Sequence, residues 1–140
     1  MPHYQEFVHL SPKAQGLLDI TREVEAVVDR AGGRLGLCTL FLQHTSASLL
    51  IQENADPSAR DDVESFFSRL APEGSPDYTH TAEGPDDMPA HLRCALTHTS
   101  EQIPVSEGRL ALGTWQGIYL FEHRRRPGRR RLVVHVFGDA

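Results

Sequence analysis

The groups able to do chemistry in this chain are imidazoles, carboxylates and hydroxyls, and they fall in a few short segments. His44-Thr45-Ser46 directly follows a long apolar run. Two hydroxyls and free backbone N–H groups at a strand end suit an oxyanion or phosphate, and the imidazole adds a base or a metal ligand. The same three residues would also serve a tight turn through local hydrogen bonds. Farther on, His80, Glu83, Asp86, Asp87 and His91 lie within twelve residues. Imidazole and carboxylate together are the usual donors to zinc and comparable ions. No spacing here is diagnostic of a metal motif, and a solvated acidic loop has the same composition. His91 falls at the start of an expected helix, where free N–H groups favour an anion.

Three further groups are candidates. Asn54, Asp56 and Asp61 flank a helix start, where Asp56 suits the cap and Asp61 could turn toward a site. Trp115-Gln116, between Gly113 and Gly117, offers an aromatic face beside an amide, fit to hold a flat heterocycle; a glycine-bounded hairpin with a packed Trp reads equally well. Glu122 and His123 end a strand and must point to opposite faces, so one of them looks inward or into an interface. Arg124 begins a run with six arginines in eight positions, read as a hairpin tip that steers phosphorylated ligands or guards a sheet edge. Of the other histidines, His3, His9 and His98 read as surface and His135 as a strand residue. Cys38 and Cys94 have apolar neighbours and no zinc-finger spacing, which predicts reduced thiols.

The elements that would position these groups follow from periodicity. Strands are expected at Gln5–Leu10, Gly16–Ile20, Leu35–Gln43 and Ala47–Gln52. Four more are expected at Ile103–Val105, Arg109–Leu112, Gly117–Glu122 and Arg131–Phe137. A helix capped by Thr21 carries Val24, Val27 and Val28 on one face and stops at Gly32-Gly33. A second, capped by Asp56 with Pro57 at its first position, would bury Val63, Phe66, Phe67 and Leu70. A third opens at Pro89-Ala90 and runs to about Thr97. Residues 71–89 form a long polar loop of the kind that is more often functional than connecting. The pattern is α+β, with helices on largely antiparallel sheet.

At 140 residues, 39% hydrophobic and 24% charged, the chain reads as one ordinary globular domain, 1–140. It shows no signal peptide and no apolar run long enough to span a bilayer, which predicts a cytoplasmic protein. The net charge of −5 argues against bulk nucleic-acid binding, despite the arginine run.

Three segments together resemble the YjbQ-like family, often labelled secondary thiamine-phosphate synthase. They are LFLQHTSASLLIQENADPSARDDVE (40–64), EGPDDMPAHLR (83–93) and PVSEGRLALGTWQGIYLFEHR (104–124), joined by His80 and the terminal RRLVVHVFGD. The resemblance spans nearly the whole chain; the first forty residues match in pattern more than in letters. It implies a seven-stranded β-sandwich with two or three helices, and a homotrimer around a three-fold axis with pockets near subunit boundaries. It also implies a transfer reaction that joins hydroxymethylpyrimidine diphosphate to thiazole phosphate and releases pyrophosphate. Under that reading a divalent ion, Zn or Mg, is held by His44, His80 and His91. Thr45, Ser46, Asn54 and Arg124 bind phosphate or another anion, and Trp115 and Gln116 hold the pyrimidine. His44, Glu122 and Asp61 are the catalytic candidates. The alternative is a non-catalytic, or differently catalytic, trimer that binds a metal ion or a small phosphorylated metabolite.

Overall fold

The computed structural model describes residues 2–139. Its order is β1 (His3–Leu10), β2 (Gly16–Asp19), α1 (Thr21–Ala31), β3 (Leu35–Leu42), β4 (Ala47–Glu53), α2 (Pro57–Leu70), α3 (Asp87–Leu96), β5 (Ser100–Ser106), β6 (Arg109–Leu110), β7 (Gln116–Glu122) and β8 (Arg130–Gly138). The α+β class therefore holds, with three helices and two antiparallel sheets. One sheet has the order β1-β8-β3-β5-β6 and the other β2-β7-β4. The described residues hold eight strands, where the resemblance implied seven and the periodicity eight. Among them no helix is long and apolar enough to cross a membrane.

The two sheets face each other across one core. Alternation on β3 and β8 sends Cys38, Leu40, Leu42, Leu132 and Val134 inward, where they meet Leu49, Ile118 and Leu120 from the smaller sheet. Helix α1 closes one end of this core with Val24, Val27 and Val28. The smaller sheet's outer face carries Leu17, Tyr119 and Phe121, covered by Val63 and Phe67 of α2. Glu64 of α2 also accepts the Leu17 N–H on edge strand β2, at 2.8 Å.

Several local expectations are corrected. Ile20, not Thr21, sits at the α1 cap; Thr21 Oγ1 instead accepts the Ile118 N–H at 2.9 Å and ties helix to sheet. Phe66 and Leu70 remain 51% and 52% exposed, because α2 lies on a sheet only three strands wide and meets it through one narrow stripe. Helix α3 begins at Asp87, two residues before Pro89. Proline is tolerated there because first-turn N–H groups have no intrahelical partner. His91 therefore stands a full turn inside the helix, away from its free N–H groups.

The arginine run is not a hairpin tip. Its flanking strands β7 and β8 belong to different sheets, so residues 123–129 cross from one layer to the other. The crossover from β3 to β4, which contains His44-Thr45-Ser46, makes the reverse passage at the same end of the sandwich, since Ala47 pairs with Glu122 and Leu42 with Leu132.

Candidate metal centre

Where the two crossovers meet, α3 and the long loop bring three side chains together. His80, Asp87 and His91 each offer one ligand atom, and these atoms lie within 4.8 Å of one another. Asp87 Oδ2 is 2.7 Å from His80 Nε2 and 3.1 Å from His91 Nε2. Asp87 and His91 are four apart on α3 and so share a face; His80 reaches over from the loop, its ring centroid 5.3 Å from that of His91.

The hydrogen bonding of His91 sets the direction of its ring. Its Nδ1 lies 3.2 Å from the Thr45 carbonyl oxygen, which can only accept, so the ring proton sits on Nδ1. In a neutral ring Nε2 then carries a lone pair, aimed at a carboxylate oxygen 3.1 Å away. Two acceptors at that distance call for a cation between them, either a proton or a metal ion. A backbone carbonyl holding the far nitrogen is the usual support of a metal-ligating histidine. Tetrahedral ligands at about 2.1 Å stand ~3.4 Å apart, so small adjustments of these side chains admit an ion.

Asp87 is fixed from its other side. Arg124 Nη1 donates to Asp87 Oδ1 at 2.6 Å and Arg124 Nε to Asp86 Oδ2 at 3.1 Å; the Arg125 N–H also donates to Asp86, at 2.8 Å. Burial alone would raise both carboxyls. At Asp86 the Arg125 amide and Arg124 outweigh it; at Asp87 the hydrogen bond from His80 and the charge of Arg124 do so, and both are held below the usual range. The Asp87 carboxylate is 3% exposed, against 44% for His80 and 33% for His91. The triad is thus anchored at its base and open on its imidazole side.

Beneath the triad lies a buried ion pair. Arg130 Nε donates to Glu122 Oε1 at 2.7 Å and Nη2 to Oε2 at 2.5 Å, with side chains 7% and 0% exposed. Arg130 Nη2 also donates to the Ser46 carbonyl at 3.3 Å, and Glu122 Oε2 accepts the Arg124 N–H at 3.0 Å. One charge pair therefore clamps both crossovers. His123 points the other way and is equally buried; burial, then Arg93 and Arg130, push its imidazole down to about 3. Its Nε2 lies 2.8 Å from Ser48 Oγ.

The remaining candidates are distributed as follows. His44 stands beside this centre but outside the triad: its Nε2 accepts the Arg131 N–H at 2.8 Å. Burial, then Arg130, lower its pKa and keep the ring neutral, so its one lone pair is already engaged. Thr45 contributes its carbonyl to His91, and Ser46 its carbonyl to Arg130. Arg124 is engaged by Asp86 and Asp87 rather than presented to an anion. Trp115, Gln116 and Asn54 lie at the far end of the smaller sheet, where the Asn54 N–H donates to the Trp115 carbonyl at 3.0 Å. Six residue steps along β7 separate Gln116 from Glu122, about 20 Å of extended chain. Asp61 is exposed on α2. Cys94 donates to the Ala47 carbonyl at 3.2 Å, and burial raises both its thiol and that of Cys38 to about 12. The residues offered Asp87 only as one of three carboxylates near His80 and His91, while the ligand set took His44 in its place, and they did not single out Arg130 as a clamp. Asp87 had a signal in its four-residue spacing from His91; Arg130 had none that set it apart from five neighbouring arginines.

The chain's relatives match this architecture. A family model described as UPF0047 protein YjbQ-like matches residues 6–139. The UPF0047 protein sll1880 of Synechocystis is 52% identical, over 97% of this chain and 92% of that protein. The UPF0047 protein YjbQ of Escherichia coli O157:H7 is 44% identical, over 97% of this chain and 99% of its own. Among solved structures, a YbjQ-like protein of unknown function from Sulfolobus solfataricus superimposes with a TM-score of 0.89 at 27% identity, covering 98% of each chain. A yjbq/upf0047 family protein from Clostridium acetobutylicum does so with a TM-score of 0.82 at 35% identity, over 95% of this chain and 98% of that one. This chain belongs to the YjbQ-like UPF0047 family.

Proposed function

We propose that this chain binds a divalent metal ion through His80, Asp87 and His91 and acts with it on a small substrate bearing an anionic oxygen. The observation that carries this reading is the convergence of His80 Nε2 and His91 Nε2 on Asp87 Oδ2, at 2.7 and 3.1 Å, with His91 Nδ1 held by the Thr45 carbonyl. Two imidazoles and one carboxylate suit zinc better than magnesium, which prefers oxygen donors and keeps its waters. Three protein ligands with exposed imidazoles leave coordination positions open, as in catalytic rather than structural zinc sites. When bound, the ion supplies Lewis acidity toward charge developing on an oxygen. The chain's own part is to hold the ligands still: Arg124 sets Asp87, Thr45 sets His91, and Glu122 with Arg130 sets the crossovers.

The reaction assigned first to this centre is the joining of hydroxymethylpyrimidine diphosphate to thiazole phosphate, carried by the family resemblance in the segments that supply the triad. The homotrimer belongs to the same proposal. Its support is the outer face of the five-stranded sheet, where Phe7 and Phe41 flank Val133 in register and are each 48% exposed, apolar area that other copies would cover. A trimer also offers a route for Trp115 and Gln116 of one subunit to approach the triad of another.

The test is zinc stoichiometry by elemental analysis, followed by pyrophosphate release from the two precursors. One zinc per chain is expected. Asp87→Asn should weaken zinc binding by more than the roughly 10–100-fold that an outer supporting residue costs. Failure to load zinc ends the reading. Stoichiometric zinc without turnover removes the transfer reaction and favours the binding-only alternative.

A further inference from the structure

Three carboxylates lie beside the imidazoles of this centre, and two of them are already committed. Asp87 is held by Arg124, and Asp86 by Arg124 and the Arg125 N–H. The third, Glu83, is fixed through its backbone alone. Its carbonyl accepts Arg124 Nη2 at 3.0 Å. Gly84 follows at φ 103°, a left-handed conformation that glycine enters without strain. The Glu83 side chain is 64% exposed and, among the described residues, forms no ion pair with an arginine. Its Oε2 lies 3.7 Å from His80 Nε2, the same nitrogen that Asp87 Oδ2 approaches at 2.7 Å.

Charge and spacing point to one use for this carboxylate. A divalent ion held by His80, Asp87 and His91 keeps one net positive charge and, when four-coordinate, one open position. One further carboxylate completes both. Neighbouring donors on a tetrahedral zinc stand ~3.4 Å apart, so Glu83 Oε2 is already near donor spacing from His80 Nε2. It stands outside the tight group formed by the other three side chains. Rotation about its own side-chain bonds brings it in, and exposed side chains change rotamer within nanoseconds. We propose that Glu83 is a displaceable fourth ligand. It fills the open position while no substrate is bound and leaves when an anionic ligand takes that position. This inference rests on the metal reading above and adds a regulation to it, since every anion must compete with Glu83 for the ion.

Cobalt(II)-loaded protein provides the test, because the visible spectrum of cobalt(II) reports which atoms coordinate it; thiocyanate serves as the anionic probe. Glu83→Gln keeps the shape of an exposed side chain and removes its charge. Competition for one position couples two affinities. In the variant, metal binding should weaken roughly 10-fold, and thiocyanate binding should tighten by the same factor because no ligand has to be displaced. The spectra of native and variant protein should differ without thiocyanate and coincide when it saturates. Spectra alike without thiocyanate, or a thiocyanate affinity unchanged by the substitution, overturn the inference while the metal centre stands. Spectra that still differ at saturation show a carboxylate that is not displaced, and overturn it too. Absence of cobalt uptake by the native protein overturns the metal reading and this inference together.

Discussion

The two ends of the three-stranded sheet use similar residue types to opposite effect. At one end of the β4–β7 ladder, Glu122 pairs with Ala47; at the other, Gln116 pairs with Glu53. The first end is where both crossovers pass between sheets and α3 docks. There Glu122, His123, Asp87 and Arg130 are buried, and the carboxylates and Arg130 are bound from more than one side. The second end is more open: Trp115 is 64% exposed, and Gln116 Oε1 accepts its own turn's Gly113 N–H at 2.8 Å. Polar groups become fixed in direction where several chain segments converge to exclude water, and a rich composition alone does not do it.

Three measurements would break or sharpen this contrast. The largest effect is expected for Arg130→Met, which leaves the Glu122 carboxylate buried without its partner; a loss of about 3–5 kcal/mol is expected in urea unfolding. A loss under ~1 kcal/mol would place this end on the same footing as the other. Next comes a pH effect at His123. Its folded pKa of about 3 lies below the ordinary 6.5, so the unfolded chain binds a proton that the native chain refuses. The stabilisation is full above pH 6.5 and is lost as the pH falls from there toward 3, with a slope of about 1.4 kcal/mol per pH unit. His123→Gln should remove that slope, and an unchanged slope would show that another group carries it. The smallest effect is expected for Trp115→Ala, which should shift stability by no more than ~0.5 kcal/mol in the isolated subunit. Light scattering on the same variant sharpens the contrast further, because dissociation of a trimer would show that the far end is a subunit interface.

Much of the scaffold was legible in the residues. Leu35–Gln43 announced a central strand by its apolar run, and β3 does lie between β8 and β5; only its inner face is buried, however, and Leu35 and Phe41 on the run stay exposed. The Asp56-Pro57 pair announced α2, and Asp56 does cap it through the Ser58 N–H at 2.9 Å. The misplaced features share a cause. Phe66 and Leu70 have the right period for burial, yet period reports a face and not the width of the surface opposite. The start of α3 was read at Pro89 because proline favours a first turn, a preference that does not single out one position within it.

The site divides along the same line. The loop and the histidines were visible as residue types, because His80, Asp87 and His91 are near in sequence and local geometry governs i, i+4 neighbours. Which histidines come together was not visible, since it depends on a carbonyl at Thr45 and an amide at Arg131, groups that every residue carries. The sequence alone determined the α+β class, the strand and helix periods and the family, all set by short-range patterns of side-chain polarity. Only the tertiary structure decided that the arginine segment crosses between sheets, that Arg130 is the buried partner of Glu122, and that Trp115 lies a sheet's length from the triad in its own chain. Those facts rest on which strands pair, and pairing is a property of contacts between residues far apart in sequence.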